Sequence, residues 1–319
     1  MSVTPPDARN GWVDRPTDVA AIINQLDQPV FAHAAGPETM ATEHRDIFAW
    51  EQGEEPFLGH RLPAHEQTIG DCVSHGTTRA CQDIVFTQLA KIGARAEDEP
   101  ILGLELATEP TYALSRVEIG GGRIRGDGSV GAWGADAVVK FGLLQRTKYG
   151  EFDLSQYSGS KARSWGAPGR GLPDELEPIA MQRPIKTTSF VQTDDEAKAA
   201  LYNMYYLAVC SNRGFKTRRD QYGFCDPSGS WAHCMEVRGI CLAKRSGQFV
   251  LAVVIQQSWG NSPTGPDEVE LKNGRKVKMP QGCFLCEMDV FYRDMLRARD
   301  TFAFSHAQGF VPQRPHFQI

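Results

Sequence analysis

Three stretches of the chain carry residues whose types could do chemistry together. The first is Gln67-Thr68-Ile69-Gly70-Asp71-Cys72-Val73-Ser74-His75-Gly76, a polar, glycine-containing turn that runs into a cysteine. A helix begins at that cysteine by its apolar spacing. A helix N-terminus carries roughly half a positive charge and unpaired N–H groups, which favour a thiolate over a thiol. The same placement also suits a buried cysteine packing at a helix start, so this stretch leaves both roles open. The second is Gly229-Ser230-Trp231-Ala232-His233-Cys234-Met235-Glu236-Val237-Arg238-Gly239, which sets His233 in a strand of alternating pattern. The third is Val254-Ile255-Gln256-Gln257-Ser258-Trp259-Gly260, a strand ending in an amide residue followed by Ser-Trp-Gly. Thiol, imidazole and amide follow in that order along the chain.

Cysteine at a helix start, histidine on a later strand, then amide-Ser-Trp-Gly resembles the papain-like cysteine peptidase family over roughly residues 58–300. The turn from Gln67 to Cys72 is similar to the family's Gln…Gly-Ser-Cys. The Ala232-His233-Cys234-Met235 strand is similar to its His-Ala-containing strand, and Gln257-Ser258-Trp259-Gly260 to its Asn-Ser-Trp-Gly. Gly126-Asp127-Gly128-Ser129, with Ala132-Trp133 and Phe141-Gly142-Leu143 after it, resembles the loop and helix lining the substrate cleft. The resemblance implies Cys72 as nucleophile and His233 as base for the thiol, then acid for the leaving amine. It implies Gln257 as the group that holds the imidazole, with Trp259 shielding that contact. Gln67 and the Cys72 N–H are implied as oxyanion donors, and the backbone near Gly128 and Ser129 as the partner of an extended peptide.

The sequence departs from the family at several points. Gln257 stands where the family has Asn, Gln67 is one residue closer to the cysteine than usual with Glu66 at the usual place, and Val73 replaces the common Trp. No cysteine occupies position 69, so the disulfide many secreted members form there is missing. His75, three residues past Cys72, lies on nearly the same helix face and competes as base, although a helical neighbour points its ring along the helix. His60 and His65 read as solvated, and Trp133, Trp231 and Phe141 as core, as do the thiols of Cys81 and Cys210.

The elements that must position these residues read as α+β with segregated lobes. Residues 1–57 form an extension with one short helix near Val19–Leu26, lying over the body with Trp12, Phe31 and Trp50 as anchors. A helical lobe covers about 58–160: a long helix from Cys72 to about Ile92, a second over Thr111–Val117, and a third over Gly131–Phe141. Residues 150–185, rich in Gly, Ser and Pro, read as a long connection. A helix then starts at Thr193 with Glu196 three residues on, a capping box. The strand-rich lobe, about 185–300, contains Tyr205–Cys210, Ala232–Leu242, Gln248–Gln256, a hairpin turning at Asn273-Gly274, and Gly282–Met288. A helix over Asp289–Arg297 closes it, and residues 301–319 form a tail.

Composition bounds the rest. The 319 residues are 41% hydrophobic and 23% charged, with net charge −5 and pI near 5.9. There is no basic footprint for nucleic acid and no apolar run long enough for a membrane span. The N-terminus lacks the charged and apolar regions of a secretory signal, which places the chain in the cytoplasm, with a virion-associated route compatible. The eight cysteines, at 72, 81, 210, 225, 234, 241, 283 and 286, are spaced irregularly for a disulfide framework. Cys283-x-x-Cys286 is a lone pair, with Cys225, His233, Cys234 and Cys241 as the remaining ligands a zinc would need. The expectation is a thiol peptidase, or a related amidase or transpeptidase, needing no cofactor or metal and acting on a peptide or protein. The rival is a non-enzymatic structural or assembly protein, for example of a phage particle, on the same scaffold. A zinc-binding module is the third reading.

Overall fold

In the computed structural model the described residues are 10–26, 44–97 and 105–309. Phe31 lies outside them. Helix α1 (Pro16–Ile23) opens the chain and buries Val19 and Ile22. Strand β1 (Ile47–Phe48) follows, then a wide helical turn, Trp50–Glu54, that runs into α2 (Glu55–Leu58). Trp12 and Trp50 are both buried. The extension therefore contributes strand and core to the body, and β1 pairs with the sheet's longest strand at Ile47↔Ile240.

Helix α3 (Cys72–Lys91) is the central element. Its apolar positions Val73, Ala80, Ile84, Val85 and Leu89 are buried, and so are the polar ones between them, because helices cover one side of α3 and the sheet the other. Several of those polar groups find partners: Thr78 Oγ1 donates to Thr111 Oγ1 at 3.1 Å, Ser74 Oγ to the Asp71 carbonyl at 2.8 Å, and Leu106 N to Gln82 Oε1 at 2.5 Å. Around α3 lie α4 (Thr108–Leu114), continued by a wide turn over Ser115–Ile119, and α5 (Gly131–Lys140). Residues 150–185 are not a bare connection. They hold the end of the hairpin β2 (Lys148–Tyr149) and β3 (Phe152–Asp153), then α6 (Gly159–Trp165) and α7 (Glu177–Ala180). Leu154, Leu172, Leu176 and Ala180 pack with Ala113, Leu114 and Ala137 as part of the helical lobe. Their apolar positions are too widely spaced to read as a helical face in sequence.

The second lobe is a seven-stranded antiparallel sheet. It begins with β4 (Thr188–Phe190) and α8 (Asp194–Tyr202), whose Thr193–Glu196 capping box is formed. Then come β5 (Leu207–Phe215), β6 (Pro227–Arg245) and β7 (Gln248–Gln256). The small hairpin β8 (Glu268–Glu270) and β9 (Lys276–Lys278) turns through Gly274 at φ 81°, left-handed backbone that glycine adopts at no steric cost. Strand β10 (Cys283–Glu287), α9 (Met288–Val290) and two short turns over Phe291–Met295 and Leu296–Ala298 lead to β11 (Thr301–Phe304). The sheet order is β10-β7-β6-β5-β11-β4, with β1 added beside β6. The tail expected over 301–319 thus begins with an interior strand, since β11 lies between β5 and β4 and all four of its residues are buried.

Candidate active site

Cys72 is the first residue of α3 and is fully buried. Strand β6 passes in front of that helix end, and the Cys234 N–H donates to Cys72 Sγ at 3.3 Å. His233, the preceding residue, pairs with Ser211 of β5 and is also fully buried. The indole of Trp259 stacks on the His233 ring, with centroids 4.5 Å apart and planes 30° from parallel, and Trp231 packs edge-on against Trp259 at 4.6 Å. Helix start, histidine strand and Ser-Trp-Gly turn therefore converge at the seam between the lobes.

The cleft above Cys72 is filled by the chain's own residues 10–13. Gly11 N and Trp12 N donate to the Ala232 carbonyl at 2.9 and 3.0 Å, and Ala232 N donates to Asn10 Oδ1 at 3.2 Å. On the other wall Ser129 N donates to the Gly11 carbonyl at 2.8 Å, and Val13 N to the Ser129 carbonyl at 2.9 Å. The segment thus lies extended between Ser129 and the residue before His233. It passes so close that a Cβ added at Gly11 would meet the Gly70 carbonyl oxygen at 2.3 Å and Cys72 Sγ at 3.0 Å. Trp12 anchors it by donating from Nε1 to Asp300 Oδ2 at 2.7 Å. The same carboxylate accepts from Gly131 N and Ala132 N, both at 2.8 Å, at the start of α5. Burial pushes the Asp300 carboxyl up to about 6 against these three donors.

Covered in this way, the Cys72 thiol is held well above its ordinary value, by burial first, then by the neighbouring Cys234 thiol and by Asp71. Desolvation outweighs the helix terminus here, so the covered state stores a thiol rather than the thiolate that the helix start alone favours.

Gln67 and Glu66 face opposite ways. Gln67 is buried, while Glu66 is exposed and forms a bridge to Trp259 at the rim. The Gln67 side chain donates from Nε2 to the Ile69 carbonyl at 2.9 Å and accepts through Oε1 from Ser258 Oγ. Ser258, between Gln257 and Trp259, is thus the residue that fixes the turn's glutamine. Gln257 is buried, but its amide has no hydrogen-bond partner among the described residues. It lines a cavity of about 10 Å3 with His65, His75, Arg79 and Glu236, space for about one water. The structure thus sets Cys72 against the strand that carries His233, stacks Trp259 on the His233 ring, places Gly128 directly before Ser129 with its carbonyl accepting from Arg116, and leaves the Gln257 amide unbonded among the described residues.

No family model matches the chain, and no curated protein matches it. Solved structures do. Xylellain, a cysteine protease from Xylella fastidiosa, is similar at TM-score 0.55 and 13% identity, over 96% of this chain and 98% of its own. The proCathepsin B S9 of Trypanosoma congolense is similar at 0.53 and 11%, over 95% and 87%. The digestive procathepsin L 3 of Tenebrio molitor larval midgut is similar at 0.51 and 12%, over 94% and 77%. This chain has the papain-like fold.

Several features of this candidate site are not in the residues that suggested it. His65 is not solvated: its side chain is 12% exposed and its Nε2 is 3.4 Å from Glu105 Oε2. His75 points toward His65 and Asp71 rather than into the cleft. The His65 contact was invisible in sequence because Glu105 lies forty residues further along the chain. Cys283 and Cys286, three apart on a strand, face opposite sides of the sheet and enter separate cores, so they cannot share a metal. Among the described residues no group of His, Cys, Asp or Glu is placed to hold one, all eight cysteines are buried and unbridged, and no helix is long and apolar enough to cross a membrane.

Proposed function

We propose that the chain is a thiol-dependent peptidase that works through an acyl-enzyme on Cys72. The observation that carries this reading is the cleft's grip on residues 10–13: two backbone walls hold an extended peptide directly over Cys72 Sγ. With that segment displaced, a peptide or protein substrate takes its place. His233 removes the thiol proton, Cys72 Sγ attacks the scissile carbonyl, and His233 returns the proton to the leaving amine. Water then hydrolyses the thioester. The Cys72 N–H and the second N–H of the Gln67 amide stabilise the oxyanion. Trp259 keeps water from one face of the imidazole, and Gln257 orients the ring once the cleft opens. The cysteine proteases among the structural neighbours support the same chemistry.

The unbonded Gln257 amide and the buried thiol favour one second reading, a binding or assembly protein on this scaffold. Gly11→Ala separates the two. The added methyl cannot fit between Gly70 and Cys72, and overpacking of about 1–3 kcal/mol shifts the segment toward release. Alkylation of Cys72 by iodoacetamide should then accelerate by about tenfold or more, and peptide turnover should appear. Adding Cys72→Ala should abolish that turnover while the protein stays folded. A Gly11→Ala chain whose Cys72 becomes reactive but which cleaves no peptide in a diverse library supports the binding protein instead.

A further inference from the structure

The cleft meets Gly11 and Trp12 in two different ways, one by close approach and one by a buried charge. At Gly11 there is no room for a side chain, because a Cβ would run into the Gly70 carbonyl oxygen and lie 3.0 Å from Cys72 Sγ. The walls are glycine at the same level. A Cβ added at Gly70 would run into the Asn10 carbonyl oxygen, and one at Gly128 would lie 3.0 Å from the Gly11 carbonyl oxygen. The Gly70 wall is fixed in place, since Gly70 N donates to Asp127 Oδ2 at 3.3 Å and Arg163 Nη2 donates to the same oxygen at 2.6 Å. The passage over the thiol therefore fits bare backbone.

One residue on, the side chain is gripped. The Trp12 indole is 4% exposed and its Nε1 donates to Asp300 Oδ2. Asp300 is itself 1% exposed and is held from two sides: Gly131 N donates to Oδ2 and Ala132 N to Oδ1, while Cys210 N donates to its main-chain carbonyl at 3.2 Å. A Cβ added at Gly131 would meet both carboxylate oxygens at 2.7 Å, so only glycine lets the helix start come this close. Two of the three side-chain donors belong to α5 and stay with it. The third is brought by whatever occupies the cleft. A phenyl ring or an aliphatic chain in the place of the indole would leave Oδ2 one donor short in the interior. A site built around a buried acceptor rejects an analogue without the donor, because the acceptor is then left unpaired.

We propose that the cleft selects peptides carrying glycine followed by tryptophan, and that Asp300 is its specificity-determining residue. Glycine passes over Cys72, and the side chain after it must offer an N–H to Asp300. Residues 10–13 hold the cleft because they carry that pair. The Gly11 carbonyl is engaged by Ser129 N, so this segment displays the recognition and not the bond to be cut. The inference rests on the reading of the cleft as a peptide site over a nucleophilic Cys72, and names the class of peptide it takes.

Protection of Cys72 from iodoacetamide, read by mass spectrometry in the full chain, measures this without requiring turnover. Trp12→Ala vacates the place on Asp300, and Cys72 labelling should accelerate by about tenfold. Capped Asn-Gly-Trp-Val should then halve the labelling rate at a concentration about tenfold or more below that needed for capped Asn-Gly-Phe-Val or Asn-Gly-Leu-Val. Capped Asn-Ala-Trp-Val should be weaker by a similar factor, about tenfold, because its methyl overpacks the passage. Adding Asp300→Asn should shrink the tryptophan-over-phenylalanine ratio to about threefold or less and leave the glycine-over-alanine ratio unchanged, since a neutral acceptor holds an N–H about half as strongly as a charged one. Equal protection by the tryptophan, phenylalanine and leucine peptides overturns the proposal, and so does a Trp12→Ala chain whose Cys72 labels no faster than wild type. Should Trp12→Ala not fold by circular dichroism, the same peptides are compared on Gly11→Ala. A chain protected in this order that cleaves none of a diverse peptide library keeps the Asp300 site and loses the peptidase reading; one that cleaves without preference loses only the Asp300 site.

Discussion

Each residue of the proposed site has a distinct environment, and the environments separate their roles. Gln67 is fixed at both ends of its amide, by Ser258 Oγ on the oxygen and the Ile69 carbonyl on the nitrogen. Glu66, at the place the family's glutamine usually holds, is exposed. Gln67→Ala should lower kcat by about 10²–10³ with little change in KM, measured on a peptide cleaved by the Gly11→Ala chain. A change confined to KM would assign Gln67 to binding instead. The cysteine's position was legible from the turn and the helical spacing after it. The cluster around it was not, because Asp71, His65, Glu105 and Tyr157 meet only after the segments fold.

At the level of elements, the lobes are joined by a buried charge cluster spanning α3, β6 and the Trp50–Glu54 turn. Arg238, fully buried on β6, donates to Asp83 Oδ2 at 3.0 Å and Oδ1 at 2.9 Å, to Glu54 Oε1 at 2.7 Å and to Gln256 Oε1 at 2.7 Å. Arg79 on α3 also donates to Glu54. Burial pushes the Glu236 carboxyl well up, and the Asp83 charge adds to the effect. With Glu236 neutral, the two guanidinium groups balance Glu54 and Asp83. Removing one member strands the others, so Arg238→Met should cost about 3–5 kcal/mol in urea unfolding. A loss below about 1 kcal/mol, the scale of a solvated pair, would mean that water reaches the cluster. Nothing in the alternating pattern of β6 marks Arg238 as interior; its burial depends on two acidic residues, Glu54 and Asp83, from two other elements. Strand β11 was hidden for a related reason. Four residues, Thr301–Phe304, are too few to signal a strand, and their place between β5 and β4 is set by pairing alone.

Across the whole molecule, pH acts on two buried groups with opposite sign. His65 is held down at about 4 against 6.5, so the unfolded chain binds more protons between those values and stability falls as pH drops through that window. Asp300 is held up at about 6 against 3.8, so the folded chain binds more protons and stability falls as pH rises from about 4 to 6. Each contributes on the order of 1.4 kcal/mol per pH unit within its window. Glu236, pushed well up by burial, acts in the same direction as Asp300 over this window, so the wild-type profile should fall as pH rises between about 4.5 and 6. His65→Gln should fall more steeply than the wild type as pH rises there, and Asp300→Asn less steeply, measured by urea midpoints at each pH. Parallel profiles in all three proteins would place both groups in contact with water.

The sequence by itself determined the helix that begins at Cys72, the strand that carries His233, the strand that leads into Gln257, and the order that resembles a papain-like chain. Those features are local, set by helical and strand periodicity and by turn residues within a few positions. Only the tertiary structure decided that residues 10–13 cover Cys72, that 150–185 fold onto the helical lobe, and that Glu105, His65 and His75 line up behind Asp71. These contacts join segments tens to hundreds of residues apart. No periodicity encodes them, because which distant partners meet is settled by burial and by the pairing of groups that water no longer reaches.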